Sequence, residues 1–156
     1  MTDWLGYAIP LVARFEGVAR RGRDGLIYPY QDAVGVWTIG YGWTVGVNET
    51  TPPITMAQAR VQLRSGLVEY VERAARFAPR LMSLPPLALA AVASWCWNCG
   101  TGRFRSRLAR PIQDARYAAV ASALLTPRTA RGVLLLGLVR RRDEEARLFR
   151  AGMEIA

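Results

Sequence analysis

The sequence predicts an α+β fold that is mainly helical, with a small sheet near the N-terminus joined by one long helix to a helical C-terminal lobe. Two observations carry this expectation. Apolar residues recur at helical spacing over most of the 156 positions, whereas aromatic and β-branched residues punctuated by glycine are confined to 26–47. No repeat or low-complexity linker divides the chain. One domain over 1–156 is therefore expected, with lobes at about 1–55 and 78–156, a connecting helix at about 56–77, and a cleft between the lobes as the ligand site.

In chain order, Leu5, Ala8, Leu11, Val12 and Phe15 predict a first helix ending near Glu16 and Gly17, kinked or restarted at Pro10. Arg20 to Gly25 reads as an exposed loop. Leu26 to Val47, interrupted by Gly35, Gly40, Gly42 and Gly46, has the pattern of short twisted strands. After a loop at Asn48 to Pro53, Thr55 and Gln58 have capping-box spacing, with Ile54 as a hydrophobic staple. They open a helix from about Met56 to Phe77 whose apolar stripe is Ala59, Leu63, Leu67, Val71, Ala74 and Phe77. The remainder reads as helical over Leu87–Trp97, Arg103–Arg110, Gln113–Leu125 and Leu138–Arg150, with Gly152 as a stop.

The chain has 21 basic residues, all arginine, against 12 acidic ones, a net charge of +9. That balance favours polyanionic surfaces: nucleic acid, anionic lipid or an anionic cell envelope. Histidine is absent, which excludes a Ser-His-Asp triad, a Cys-His pair and a histidine zinc site. Acid and base work falls to carboxylates, and neither a metal nor a cofactor is expected. Cys96 and Cys99 form a C-W-N-C pattern, the spacing of a redox pair, but inside an apolar run it reads better as two small buried side chains. The segment up to Glu16 has no positive region before its apolar stretch and contains Asp3 and Pro10, so it does not read as a secretion signal. No segment offers the roughly 20 apolar residues of a membrane-spanning helix. A cytoplasmic protein is expected.

Glu16 falls at the C-terminal end of the first helix, where the negative end of the dipole disfavours a carboxylate and helps it keep its proton. Burial against Phe15 or a nearby tryptophan would act in the same direction, which suits a general acid. If the hairpin turns about Gly35, Asp32 and Thr38 face each other directly, with Cβ atoms about 4.5 to 5.5 Å apart, and one water can touch both. A turn-starting aspartate and an ordinary strand threonine are the plainer reading of that pair.

The run R-F-E-G (Arg14–Gly17) followed by Y-Q-D-A-V-G-V-W-T-I-G-Y-G (Tyr30–Gly42) resembles the catalytic region of the phage-type lysozymes, glycoside hydrolase family 24. S-W-C-W-N-C-G-T-G-R-F (Ser94–Phe104) is similar to that family's core helix and the turn closing it, and G-L-V-R-R-R-D-E-E-A-R-L-F (Gly137–Phe149) to its final helix. The resemblance implies the two-lobed lysozyme fold and hydrolysis of the β-1,4 bond between N-acetylmuramic acid and N-acetylglucosamine in peptidoglycan. It implies Glu16, Asp32 and Thr38 as the catalytic residues: Glu16 as acid, Asp32 with Thr38 positioning water. Inversion follows if the carboxyl groups lie about 6.5 to 9.5 Å apart, and retention if nearer 5 Å.

Asn98, Gly100 and Gly102 are placed along the cleft as substrate-binding residues, although a helix-capping role accounts for them equally well. One of Arg140, Arg141 and Arg142 is expected to reach Glu16. The partners expected are peptidoglycan glycan strands and the anionic bacterial envelope, with no nucleic acid. A monomer is expected, made in the host cytoplasm and released through a holin-type pore to lyse the host from the periplasm. Two departures from the family pattern stand out: a longer Glu16–Asp32 segment carrying Arg20, Arg21 and Arg23, and Trp43 where histidine is common, a change expected to affect packing rather than chemistry. The rival readings are a non-catalytic peptidoglycan-binding scaffold, a lytic transglycosylase, and membrane disruption by the basic region Leu134–Arg150.

Overall fold

The computed structural model describes residues 3–32, 34–130 and 132–155; Ala33 of the Y-Q-D-A-V-G motif lies outside them. The first helix, α1 (Trp4–Glu16), runs through Pro10 without restarting. The Asp3 carboxylate caps it by accepting from Leu5 N at 3.1 Å, and Gly17 ends it at φ +62°. Leu5, Ala8, Leu11 and Val12 form its buried face.

The sheet is smaller than the composition of 26–47 predicts. Strands β1 (Tyr30–Gln31) and β2 (Trp37–Thr38) are antiparallel, supplemented by single bridges Arg21↔Ile27, Ile27↔Ile54 and Ile39↔Trp43. Gly40, Gly42 and Gly46 all take positive φ and turn the chain before a ladder can lengthen. The register also corrects the expected pairing. Tyr30 faces Thr38 and Gln31 faces Trp37, while Asp32 N donates to Val36 O at 2.9 Å, so the hairpin is centred on Val34 rather than Gly35. The cause is local: Asp32 Oδ1 accepts from both Val34 N and Val36 N at 2.9 Å, and Gly35 closes the loop at φ +83°. Asp32 and Thr38 are thus diagonal neighbours on one face, a spacing of about 7 to 8 Å rather than a direct pair.

Helix α2 (Met56–Ala75) opens with the expected capping box. Gln58 N donates to Thr55 Oγ1 at 3.1 Å and Thr55 N to Gln58 Oε1 at 2.8 Å. Its stripe Ala59, Leu63, Leu67, Val71 and Ala74 is buried; Phe77 lies past its end, exposed beneath the Arg105 guanidinium. A short 3₁₀ turn (Pro79–Ser83) leads to α3 (Pro86–Cys99), whose residues from Ala88 to Cys96 are all buried among α1, α2 and α7. A helix apolar on every side can be stable only as the centre of a core.

The rest of the C-terminal lobe departs from the expected boundaries. Arg103–Arg110 divides at Leu108 into α4 (Thr101–Arg107) and α5 (Ala109–Gln113). Helix α6 (Tyr117–Leu124) starts later than expected because Ala115 sits at φ +55°. A second hairpin, β3 (Thr129–Ala130) with β4 (Val133–Leu134), stands between two expected helices, in a stretch to which no strand was assigned. Helix α7 (Leu136–Met153) runs through Gly152 and stops at Glu154, in the left-handed region at φ +54°. Gly152 is a packing residue instead: a Cβ there would lie 2.5 Å from the backbone nitrogen of Ala88. Among the described residues, no helix is long and apolar enough to cross a membrane.

Candidate active site

Glu16 ends α1 beside two adjoining cavities. One, about 230 Å³, is lined by Glu16, Gly42, Trp43, Tyr70, Trp97 and Asn98 among others. The second, about 410 Å³, shares Glu16 and Asn98 and adds Phe15, Leu135, Leu136, Leu138 and Arg141. The shared residues make this one groove, aromatic on one side of Glu16 and aliphatic on the other. The aliphatic wall comes from Leu135, the N-cap residue that follows β4, and from the first turn of α7.

Two glycines let the aromatic side close around the carboxylate. A Cβ on Gly42, at φ +90°, would stand 3.8 Å from Glu16 Oε2 and 4.0 Å from Trp97 Nε1, so the backbone after β2 passes directly over the acid. A Cβ on Gly66 would lie 2.5 Å from the Trp97 ring and 3.1 Å from Trp43, so α2 is notched to seat both. Tyr70 meets Trp97 at a tilt of 55°, ring centroids 5.5 Å apart. Trp43, Tyr70 and Trp97 were not singled out as site residues from sequence. Their signal, an aromatic beside glycine or in mid-helix, is the same signal that core residues give.

Beneath Glu16 lies a chain of buried charges. Arg141, 3% exposed, donates through NH1 to Glu16 Oε1 at 2.6 Å, through Nε to Glu145 Oε1 at 3.1 Å and through NH2 to Ser94 O at 3.1 Å. This settles which of the three arginines reaches the acid. Glu145, fully buried, also accepts from Ser94 Oγ at 2.6 Å and pairs with Arg142 NH1 at 2.9 Å. Arg142 NH2 in turn donates to Asn98 Oδ1 at 2.7 Å. Burial pushes the Glu145 carboxyl up from its ordinary range, and Arg142 and Arg141 pull against it.

Asp32 and Thr38 are not among the residues lining either cavity; they lie on the adjacent hairpin. Thr38 is buried and its hydroxyl donates to Val36 O at 3.1 Å. Tyr30 pairs with Thr38 across the strands; burial pushes its hydroxyl up, and the charges of Asp32 and Glu16 add to the shift. Asn98 faces both cavities, whereas Gly100 ends α3 at φ +82° and Gly102 lies within α4, neither lining the groove. Trp43 forms part of the groove wall, its Nε1 donating to Val45 O at 3.0 Å. In the Arg20–Gly25 loop, Arg20 folds back to donate to Pro29 O at 2.8 Å while Arg21 and Arg23 stay exposed. Among the described residues, no group of three or more His, Cys, Asp or Glu side chains could hold a metal ion.

A two-lobed, mainly helical molecule with a small hairpin sheet and a carboxylate set between the halves of its groove defines the lysozyme class of fold. The chain resembles the muramidase domain of SpmX from Asticaccaulis excentricus, at 28% identity over 91% of this chain and 93% of that one, with TM-score 0.73. It is also similar to the active form of the P1 phage endolysin Lyz, at 26% identity over 92% and 83% of the two chains, TM-score 0.74. A P22 lysozyme variant aligns at 26% identity over 96% and 99%, TM-score 0.72. No curated protein sequence matches at a significant level. The phage lysozyme family model matches residues 14–145. The chain belongs to that family, the glycoside hydrolases of family 24 that act on peptidoglycan.

Proposed function

We propose that this lysozyme cleaves the β-1,4 bond between N-acetylmuramic acid and N-acetylglucosamine, with Glu16 as the general acid. The observation that carries the reading is the position of Glu16: the only carboxylate among the residues lining either half of the groove, held by Arg141 through Oε1. Oε2 lies on the side where Gly42 leaves room. A sugar ring has apolar C–H faces and polar edges, which suits a groove walled by Trp43, Tyr70 and Trp97 with Asn98 as a polar contact. Glu16 donates its proton to the leaving oxygen as the bond to the anomeric carbon breaks. A water attacks that carbon from the opposite face and gives up a proton to Asp32.

Asp32 uses Oδ1 to hold its turn, and Oδ2 has no protein partner among the described residues, which leaves it for the water. Thr38 shares that face of the hairpin and fixes the strand beside it. The products are an inverted reducing end and a free 4-hydroxyl, and the biological outcome is lysis of the host after release to the wall. The non-catalytic scaffold is disfavoured by the placement of Glu16 in the groove, and membrane disruption by the burial of Arg141, Arg142, Ala146 and Phe149 on α7, which commits that face to the core. The test is the product mixture from purified peptidoglycan, examined by mass spectrometry and by NMR before mutarotation. Muramic acid reducing ends of inverted configuration are expected; anhydro ends indicate a transglycosylase, and retained configuration indicates a covalent intermediate.

A further inference from the structure

We propose that Glu145 is a positioning residue for the reaction: one buried carboxylate that holds both groove-lining side chains, Glu16 through Arg141 and Asn98 through Arg142. The inference rests on the assignment of Glu16 as the acid. Glu145 stands four residues after Arg141 and three after Arg142, so both guanidinium groups reach it on one helix face. Ser94 on α3 locks the arrangement, its hydroxyl donating to Glu145 and its carbonyl accepting from Arg141. Neither arginine is free to swing, because Arg141 is 3% exposed and Arg142 is fully buried.

The arrangement answers a chemical difficulty. An arginine against a general acid favours the ionised acid, which cannot donate a proton. A second carboxylate shares the same arginine: Arg141 gives Nε to Glu145 and NH1 to Glu16, so its charge does not bear on Glu16 alone. Around the network, Glu145 on α7 and Ser94 on α3 contact Arg141, Arg142 on α7 pairs with Glu145, Cys99 on α3 contacts Arg142, and on the hairpin Tyr30 lies within the influence of Glu16 and Asp32.

The test compares Glu145→Gln, Ser94→Ala and Glu16→Gln with the parent on soluble, uncross-linked peptidoglycan strands, normalised to folded protein by near-UV circular dichroism. Glu145→Gln keeps the shape and removes the charge. Its kcat is expected to fall about ten- to a hundredfold with little change in KM, the scale of a misplaced catalytic group. Ser94→Ala should show a smaller fall in kcat, and it decides the matter if Glu145→Gln does not fold. An unchanged kcat per folded molecule, or a loss carried by KM alone, overturns the proposal. An active Glu16→Gln overturns the assignment beneath it, whereas an inactive Glu16→Gln beside a normal Glu145→Gln overturns the positioning role alone.

Discussion

Arg141 could not be told from Arg140 and Arg142 in the sequence, because successive helical residues differ by about 100° in direction and only packing decides which faces inward. Glu16 was legible: the last residue of an apolar-periodic segment followed by glycine is a helix end, and the motif around it is specific. Asp32 and Thr38 stood out in the sequence by type, but their pairing was not legible, since a turn centred one residue earlier changes every partner. The cysteines show where setting outweighs spacing. Both are free, and burial pushes the thiols of Cys96 and Cys99 up from their ordinary range. A thiol with a raised pKa supplies less thiolate at any given pH, so iodoacetamide should alkylate the native protein slowly at neutral pH, Cys99 before the fully buried Cys96. Mass spectrometry before and after unfolding checks this; rapid native labelling of both would contradict it.

At the scale of elements, the sequence marked α1, α2 and α3 well because their signals are periodicity and caps. It marked the β3–β4 hairpin poorly, since Thr129 to Leu134 is short and sits between helical patterns. Gly152 read as a stop because glycine usually is one, yet here it serves the close approach of α7 to α3. Gly66 plays the same part for the groove. Gly66→Ala would drive a methyl into the Trp97 ring and is expected to cost about 1 to 3 kcal/mol, the range for overpacking. Because the displaced rings line the groove, tryptophan emission and KM should change with it. Wild-type stability and KM in this variant would show that Trp43 and Trp97 are not seated as described. Thr55→Ala, on the same helix but away from the groove, should lose about 0.5 to 2 kcal/mol with KM unchanged, measured by urea unfolding and steady-state kinetics.

For the whole molecule, the charge of +9 and the groove describe different steps. We propose that the charge, spread largely over exposed arginines, serves encounter with an anionic wall, so binding of an inactive variant to purified wall should weaken as salt rises. Co-sedimentation measures this, and salt-independent binding would remove electrostatics from the encounter. Bond cleavage concerns a groove that forms only when α1, α2, α3, α7 and the segment after β2 meet, so composition pointed to a polyanion while it took the resemblance of the motifs to point to a glycan. The most direct measurement is the release of reducing ends from purified peptidoglycan by Glu16→Gln, shown to be folded by its circular dichroism. Loss of turnover by about a hundredfold or more is the result expected when a general acid is removed. Turnover near that of the parent would contradict the central assignment.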